Sequence, residues 1–294
     1  QEHYRHLPGS IHPYFFNDLR LMEGYAQMLA RTNDAVRFGK LADQVKTAFN
    51  EKFLKRDLGY YDNGSQTSCV LPLYFDLVPP DFRKPVFTQL VRKIKNETNG
   101  HIGTGLIGGM FLMRTLTQNG RADLAYTIAT QRDYPGWGYM VEKGATTIWE
   151  LWNGDTADPA MNSGNHVMLI GDLVVWLYEH LAGIKSDPTQ PGFKHILMKP
   201  EPVGHLRFVK ASHRSPHGWI RSEWRMGENG FEWKVEVPPN SSATLFIPAT
   251  DLNDVSEGKL PLHRARGVKS ARFEDGRAIL EIGSGKYHFV SDPQ

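Results

Sequence analysis

The stretch from Asp133 to Asp155 holds three tryptophans, two tyrosines and several carboxylates within 23 residues. Within it Glu150 lies between Trp149 and Trp152, after the small and β-branched run Gly144-Ala145-Thr146-Thr147-Ile148. A carboxylate held among indoles is partly desolvated, which favours its neutral form and suits it to proton transfer. Indole faces also stack on the C–H face of a sugar ring. These residue types therefore point to acid–base chemistry on a carbohydrate. A second reading stays open on chemistry alone: a core helix start whose glutamate caps or pairs locally.

Further along, Asn162-Ser163-Gly164-Asn165-His166 opens a segment patterned as the last helix of its region. Free N–H donors gather at a helix start, and His166 there can donate to a hydroxyl or a carboxylate. Taken alone, a histidine satisfied within the fold is the stronger reading. Other motifs carry less. Gly103-Thr104-Gly105-Leu106-Ile107-Gly108 matches the dinucleotide fingerprint, with Asp123 about 20 residues on. That motif needs a buried strand before it, whereas the residues here are Arg92 to Gly100, rich in charge and amide. The glycines read instead as a tight loop with close helix packing. The pairs His3/His6 and His213/His217 lack a nearby carboxylate or cysteine to complete a ligand set, so no metal site is expected. The sequons at Asn63, Asn96 and Asn240 carry no weight.

The elements that must position these residues change character along the chain. Apolar spacing predicts helices over Asn17–Thr32, Asp34–Leu54, Gln66–Leu77, Pro80–Lys95, Thr104–Leu116, Arg121–Gln131 and Asn162–Ala182. Their short connections favour antiparallel hairpins packed side by side. Prolines at 188, 191, 200 and 202 mark a boundary. Beyond them come short alternating runs: Leu206–His213, Trp219–Met226, Phe231–Val237, Ala243–Ile247, Ala271–Glu274, Ala278–Ile282 and Tyr287–Val290. Phe231, Trp233, Val235 and Val237 share one face of their run, with Glu232, Lys234 and Glu236 on the other. Glycine-containing turns separate the runs, the pattern of an antiparallel β-sandwich.

The whole chain has 294 residues, 40% of them hydrophobic and 22% charged, values that exclude disorder and suit two domains. A net charge of +2 gives no reason to expect nucleic acid or an anionic membrane as partner. Cys69, the one cysteine, excludes an internal disulfide framework. No window is apolar enough for a membrane span; Val167–Leu181 is interrupted by Asp172, Glu179 and His180.

Taken together these residues resemble the bacterial α-L-rhamnosidases of glycoside hydrolase family 78. The most specific block is Tyr134-Pro135-Gly136-Trp137-Gly138-Tyr139-Met140 with Gly144 to Glu150. Tyr14 to Met22, Phe38 to Val45, Ser163-Gly164-Asn165-His166 and Trp176-Leu177-Tyr178 extend the likeness, and Pro191 to Ile196 looks like the lead into the family's C-terminal β-domain. The resemblance implies part of an (α/α)6 barrel over residues 1–184 and a β-sandwich over 185–294. It further implies cleavage of terminal α-L-rhamnosyl residues with inversion, without cofactor or metal, on a rhamnose-containing glycoside or polysaccharide.

By the same resemblance Glu150 matches the general base and His166 a histidine that contacts rhamnose, with Trp137 and Trp152 as candidate pocket walls. Leu151 stands where many members have arginine, and Gly164 where phenylalanine is commoner. Inversion needs a second carboxyl group to protonate the leaving oxygen. In the family that acid lies upstream of the region matching Gln1. Seven or eight predicted helices also fall short of the twelve that close such a barrel. The expectation is a C-terminal part of a longer rhamnosidase, inactive alone. Alternatives are another (α/α)6 glycosidase, a non-catalytic carbohydrate-binding protein with a degenerate site, or a purely structural module. Localisation stays open, with periplasm or secretion favoured over cytoplasm, and the sequence leaves oligomeric state undetermined.

Overall fold

A computed structural model describes residues 8–228 and 230–292. His3 and His6 lie outside the described residues. The chain divides after Leu173 into two compact units, the first helical and the second built on β-sheets.

In the helical unit, α1 (Pro8–Met28) and α2 (Thr32–Phe53) form the first hairpin. α1 buries Phe16, Leu19 and Ala26, and α2 buries Ala35, Gly39, Ala42, Phe49 and Phe53. Steps of three, four and seven bring each set to one face of its helix. Gly39 permits the close approach: a Cβ there would sit 2.6 Å from Oε1 of Glu23 on α1. α1 starts at Pro8 instead of Asn17 and carries Pro13 inside it, at the cost of one intrahelical hydrogen bond. The second hairpin joins α3 (Gln66–Tyr74), capped by Ser65 Oγ accepting from the Ser68 amide, to α4 (Pro80–Arg92). α4 runs on into a wide helical turn over Lys93–Glu97. A one-turn helix α5 (Leu106–Gly109) precedes the third hairpin, α6 (Leu112–Gln118) and α7 (Ala122–Ala129). A short helix α8 (Trp137–Glu142) follows.

Two predicted helices are broken. Thr104–Leu116 splits into α5 and α6 at Met110 and Phe111. Asn162–Ala182 is helical only in part: a tight 3₁₀ turn covers Val167–Ile170 and regular helix begins at Leu173. Close backbone contact explains the second break. Gly171 takes a left-handed φ of 59°, and a Cβ on it would lie 2.3 Å from the carbonyl oxygen of Gly109. The next amide, of Asp172, donates to that same carbonyl at 3.1 Å. Asp172 then reaches across to the start of α6, its carboxylate accepting from the amides of Met113 and Arg114 at 3.3 and 3.0 Å. It caps a helix it does not belong to. Arg114 returns a side-chain bond at 3.3 Å and spans onward to the hydroxyl of Tyr74 at 2.8 Å.

The second unit is a sandwich of two sheets. Numbering from the small hairpin β1/β2 (Leu54–Lys55, Tyr60–Tyr61) of the helical unit, its strands are β3 (Lys185–Ser186), β4 (His195–Met198), β5 (Phe208–Ser215), β6 (Gly218–Gly227), β7 (Gly230–Val237) and β8 (Ser242–Pro248). They continue with β9 (Ser256–Glu257), β10 (Leu260–Pro261), β11 (Val268–Glu274), β12 (Arg277–Ile282) and β13 (Gly285–Ser291). One sheet has the order β10-β9-β13-β7-β6-β5, the other β11-β12-β8-β4-β3. Pairing is antiparallel except between β4 and β8, where His195–Met198 runs parallel to Ser242–Leu245. β4 arises inside the proline-rich segment, whose breakers hid it from sequence reading. Phe231, Trp233, Val235 and Val237 point into the shared core, as their alternation predicts. The buried indoles are satisfied there: Trp233 donates to Ser222 Oγ at 2.8 Å and Trp224 to the carbonyl of Leu181 at 2.7 Å. No helix among the described residues is long and apolar enough to cross a membrane.

Candidate active site

Two irregular segments of the helical unit, residues 147–151 and 162–166, lie side by side and are joined by a short ladder of hydrogen bonds. The amide of His166 donates to the carbonyl of Ile148 at 2.7 Å, and that of Glu150 to the carbonyl of Ser163 at 2.9 Å. Side chains extend the ladder at both ends: Asn162 Oδ1 accepts from the Leu151 amide at 3.2 Å, and Thr147 Oγ1 donates to Asn165 Oδ1 at 3.0 Å. The Ser163 amide then donates to Glu150 Oε2 at 2.9 Å, which leaves that oxygen 4.0 Å from His166 Nδ1. Two residues separated by 16 positions in sequence thus share one site. His166 precedes the short 3₁₀ turn Val167–Ile170 instead of opening an α-helix, and its amide is engaged by Ile148.

The indoles are anchored rather than stacked on Glu150. Trp137, at the start of α8, is 6% exposed and donates through Nε1 to the carbonyl of Leu169 at 3.0 Å. Trp152 meets it edge to face, with ring centroids 5.5 Å apart, and donates to the carbonyl of Thr104 at 2.9 Å. Trp149 lies over Gly154, where a Cβ would come within 2.7 Å of its ring. The Glu150 side chain consequently keeps 41% of its surface exposed. The described residues leave Glu150 more open than its tryptophan neighbours in sequence suggest, and Trp137 packs against Trp152 with little of its own surface exposed.

The glycine run acquires a structural purpose. It follows the helical turn at Lys93–Glu97, not a strand. A Cβ on Gly108 would be 2.4 Å from Thr67 Oγ1, and one on Gly103 would be 2.7 Å from Gln66 Nε2. Gln66 Oε1 accepts from the Gly103 amide at 2.8 Å. This loop presents the Thr104 carbonyl that fixes Trp152.

Three further polar contacts brace the region. His101 Nε2 meets Asp133 at 2.8 Å, just before the Tyr134-to-Met140 block. Burial pushes the His101 imidazole down, but the carboxylate and the Thr98 carbonyl outweigh it and hold it above its ordinary value. Tyr139 donates to both oxygens of Asp155 at 2.9 Å, and that bond holds its hydroxyl proton more firmly than usual. Asp172, 1% exposed, is raised by burial even though two amides and Arg114 favour its charge. Sequence reading missed Asn162, Asn165, Asp172 and the His101–Asp133 link. The signal for the first two was present: asparagines flanking Ser163-Gly164 are loop composition, not the opening of a helix.

Among known proteins, the family profile for the bacterial α-L-rhamnosidase six-hairpin glycosidase domain matches residues 11–181. That for the bacterial α-L-rhamnosidase C-terminal domain matches residues 183–260. An α-L-rhamnosidase of Streptomyces avermitilis is 33% identical over 94% of this chain and 26% of its own length. One from Formosa agariphila is 30% identical over 94% of this chain and 30% of its length. The chain therefore spans less than a third of these curated relatives. The structure of an α-L-rhamnosidase from Dictyoglumus thermophilum superposes with a TM-score of 0.86 at 34% identity, covering 95% of this chain and 31% of the other. The S. avermitilis α-L-rhamnosidase complexed with L-rhamnose gives 0.85 at 32% identity, covering 95% and 26%. With both units matched in order and the helical profile spanning most of the first, the chain belongs to the bacterial α-L-rhamnosidase family.

Proposed function

We propose that this chain carries the water-activating half of a site that hydrolyses terminal α-L-rhamnosides with inversion, with Glu150 as general base and His166 as a contact to the sugar. One observation carries the reading: Glu150 Oε2 is pinned by the Ser163 amide beside His166, while Oε1 has no hydrogen-bond partner among the described residues. A carboxylate held through one oxygen presents the other to a water molecule in a defined direction. In the step proposed, Oε1 takes a proton as the water oxygen bonds to the anomeric carbon. The glycosidic C–O bond breaks on the opposite face, and the leaving oxygen receives a proton from a second carboxyl group roughly 6.5–9.5 Å from the first. We assign that acid to no described residue and place it outside residues 1–294, so that the chain alone is inactive.

Trp152, fixed by Thr104 and backed by Trp137, is the proposed apolar wall for the sugar ring. The partner is accordingly a rhamnose-containing glycoside or polysaccharide. The residues 1–184 and 185–294 are proposed as the two domains. The test is hydrolysis of an aryl α-L-rhamnoside by this chain and by a full-length polypeptide that contains it. Glu150→Gln in the full-length context should lower kcat by about 10²–10⁴-fold and leave L-rhamnose binding measurable. An unchanged rate removes Glu150 from the role of base, and robust turnover by the 294 residues alone overturns the placement of the acid.

A further inference from the structure

The outer face of the six-stranded sheet carries a second feature, unrelated to Glu150. Directly opposed residues in the antiparallel pairings share a face, and the register sets out rungs across β5, β6, β7 and β13. One rung is Lys210, Glu223, Lys234 and His288; the next along the strands is Ser212, Arg221, Glu236 and Lys286. Arg225 and Glu232 form a rung on one side, and Arg214 with Trp219 closes the other. Six lysines and arginines stand on this face against three glutamates, an excess of +3 on one surface of a chain whose total is +2.

The glutamates are already shared. Glu236 lies 3.3 Å from Arg221 and 3.9 Å from Lys286; Glu232 is 3.8 Å from both Arg225 and His288. Among the described residues Lys234 and Arg214 have no ion-pair partner, so their charge is available. Exposed aromatic rings mark both ends: Phe208 is 61% exposed beside Arg225, and Trp219 is 46% exposed with the Arg221 guanidinium 5.9 Å from its ring centroid. Six strand residues separate the two rings, roughly 20 Å. From the Phe208 end runs a groove of about 590 Å³ lined by Lys210, Arg225 and Lys234 together with Glu223 and Glu232. A hollow of about 360 Å³ shares Lys234 with it, and a third shares Lys286 with the second and ends at Trp219.

We infer that this face binds an acidic polysaccharide, a glycan bearing hexuronate residues along a run of several sugar rings. Cations meet the uronate carboxylates, the interspersed glutamates accept from sugar hydroxyls, and the terminal aromatic rings stack on C–H faces. The glutamates argue against nucleic acid, whose closely spaced phosphates call for an unbroken positive stripe. The inference does not depend on the role proposed for Glu150, because its readout is binding alone.

The experiment is calorimetric titration of the whole chain with a short oligogalacturonate. A neutral cello-oligosaccharide and a single-stranded oligodeoxynucleotide serve as comparators. Oligogalacturonate should bind saturably and more weakly as salt rises, and the neutral glycan should bind at least tenfold more weakly. Trp219→Ala and Lys234→Glu should each weaken binding about tenfold without moving the melting temperature by more than a few degrees. Should Lys234→Glu fail to fold, Phe208→Ala at the other end of the groove takes its place. The inference is overturned if oligogalacturonate does not bind at low salt, if the neutral glycan binds equally, if the oligodeoxynucleotide binds as tightly, or if the folded variants bind like the parent.

Discussion

Oε2 of Glu150 lies 4.0 Å from Nδ1 of His166, and the distance is set by backbone rather than by the two side chains themselves. The Ile148 carbonyl holds the His166 amide, and the Ser163 carbonyl holds that of Glu150. If Glu150 has the role proposed for it, any change that loosens this ladder should act on catalysis before it acts on stability.

Asn162 is the clearest place to see this. Its Oδ1 accepts from the Leu151 amide, the group directly after Glu150. Asn162→Ala removes that bond and the long one its Nδ2 donates to the Gly154 carbonyl at 3.4 Å, both at a half-buried side chain, so the loss in folding stability should stay at about 1–2 kcal/mol. In a full-length polypeptide the same change should lower kcat for an aryl α-L-rhamnoside about five- to tenfold, with little change in the affinity for L-rhamnose. Asn162→Asp, which keeps the acceptor, should restore most of the rate. Equal losses from both variants would show that Asn162 does not position Glu150.

Asp172 carries the opposite balance, structural before catalytic. Buried against the first turn of α6, it accepts from two amides and from Arg114. Asp172→Ala leaves those donors and the guanidinium without their acceptor, and breaking such a buried pair costs about 3–5 kcal/mol. Urea denaturation should show the loss as a fall in midpoint. Because burial holds the Asp172 carboxyl above its ordinary value, the native state keeps that proton longer than the unfolded chain does. Its contribution to stability therefore declines as pH rises from about 3.8 through the folded value, and the alanine variant should lack that component.

Much of this architecture was legible in the sequence, and the exceptions share a cause. The face formed by Phe231, Trp233, Val235 and Val237 could be read because period-two alternation records burial directly. The hairpin of α1 and α2 was legible for the same reason at helical period. The break at Gly171 was not, because it follows from contact with Gly109, some sixty positions earlier. The pairing of Glu150 with Ser163 likewise rests on backbone amides, which leave no mark in residue type. Glu150 and His166 themselves were reached through the resemblance. Their chemistry alone left local capping and a satisfied histidine open.

His101 and Asp133 give a pH-dependent test within the helical unit. Burial lowers the imidazole, and the Asp133 carboxylate together with the Thr98 and Asn99 carbonyls outweighs it, so His101 should titrate above 6.5 by NMR. A raised value means that the link contributes fully below about pH 6.5 and is lost as pH rises through the folded value. At the acid end the Asp133 carboxyl is held below 3.8 by His101, and the contribution fades as pH falls through that lowered value. Asp133→Asn should bring the imidazole down to or below 6.5 and flatten the stability profile between neutral and mildly acidic pH. An unshifted His101 resonance in that variant would rule out the pairing.

Cys69 provides a chemical probe of the packing behind α3. It is fully buried, and burial pushes its thiol up to about 11, so almost no thiolate exists at neutral pH. Both access and nucleophilicity are therefore denied to an aromatic disulfide reagent. The folded chain should release no thionitrobenzoate over minutes at pH 8, and one equivalent should appear on unfolding in guanidinium chloride. The rate at intermediate denaturant should follow the opening of the hairpin formed by α3 and α4, because Cys69 sits in the middle of α3 beside buried Val70 and Leu71. Rapid labelling of the native protein would show that this helix opens without global unfolding, contrary to a packing in which Cys69 is inaccessible.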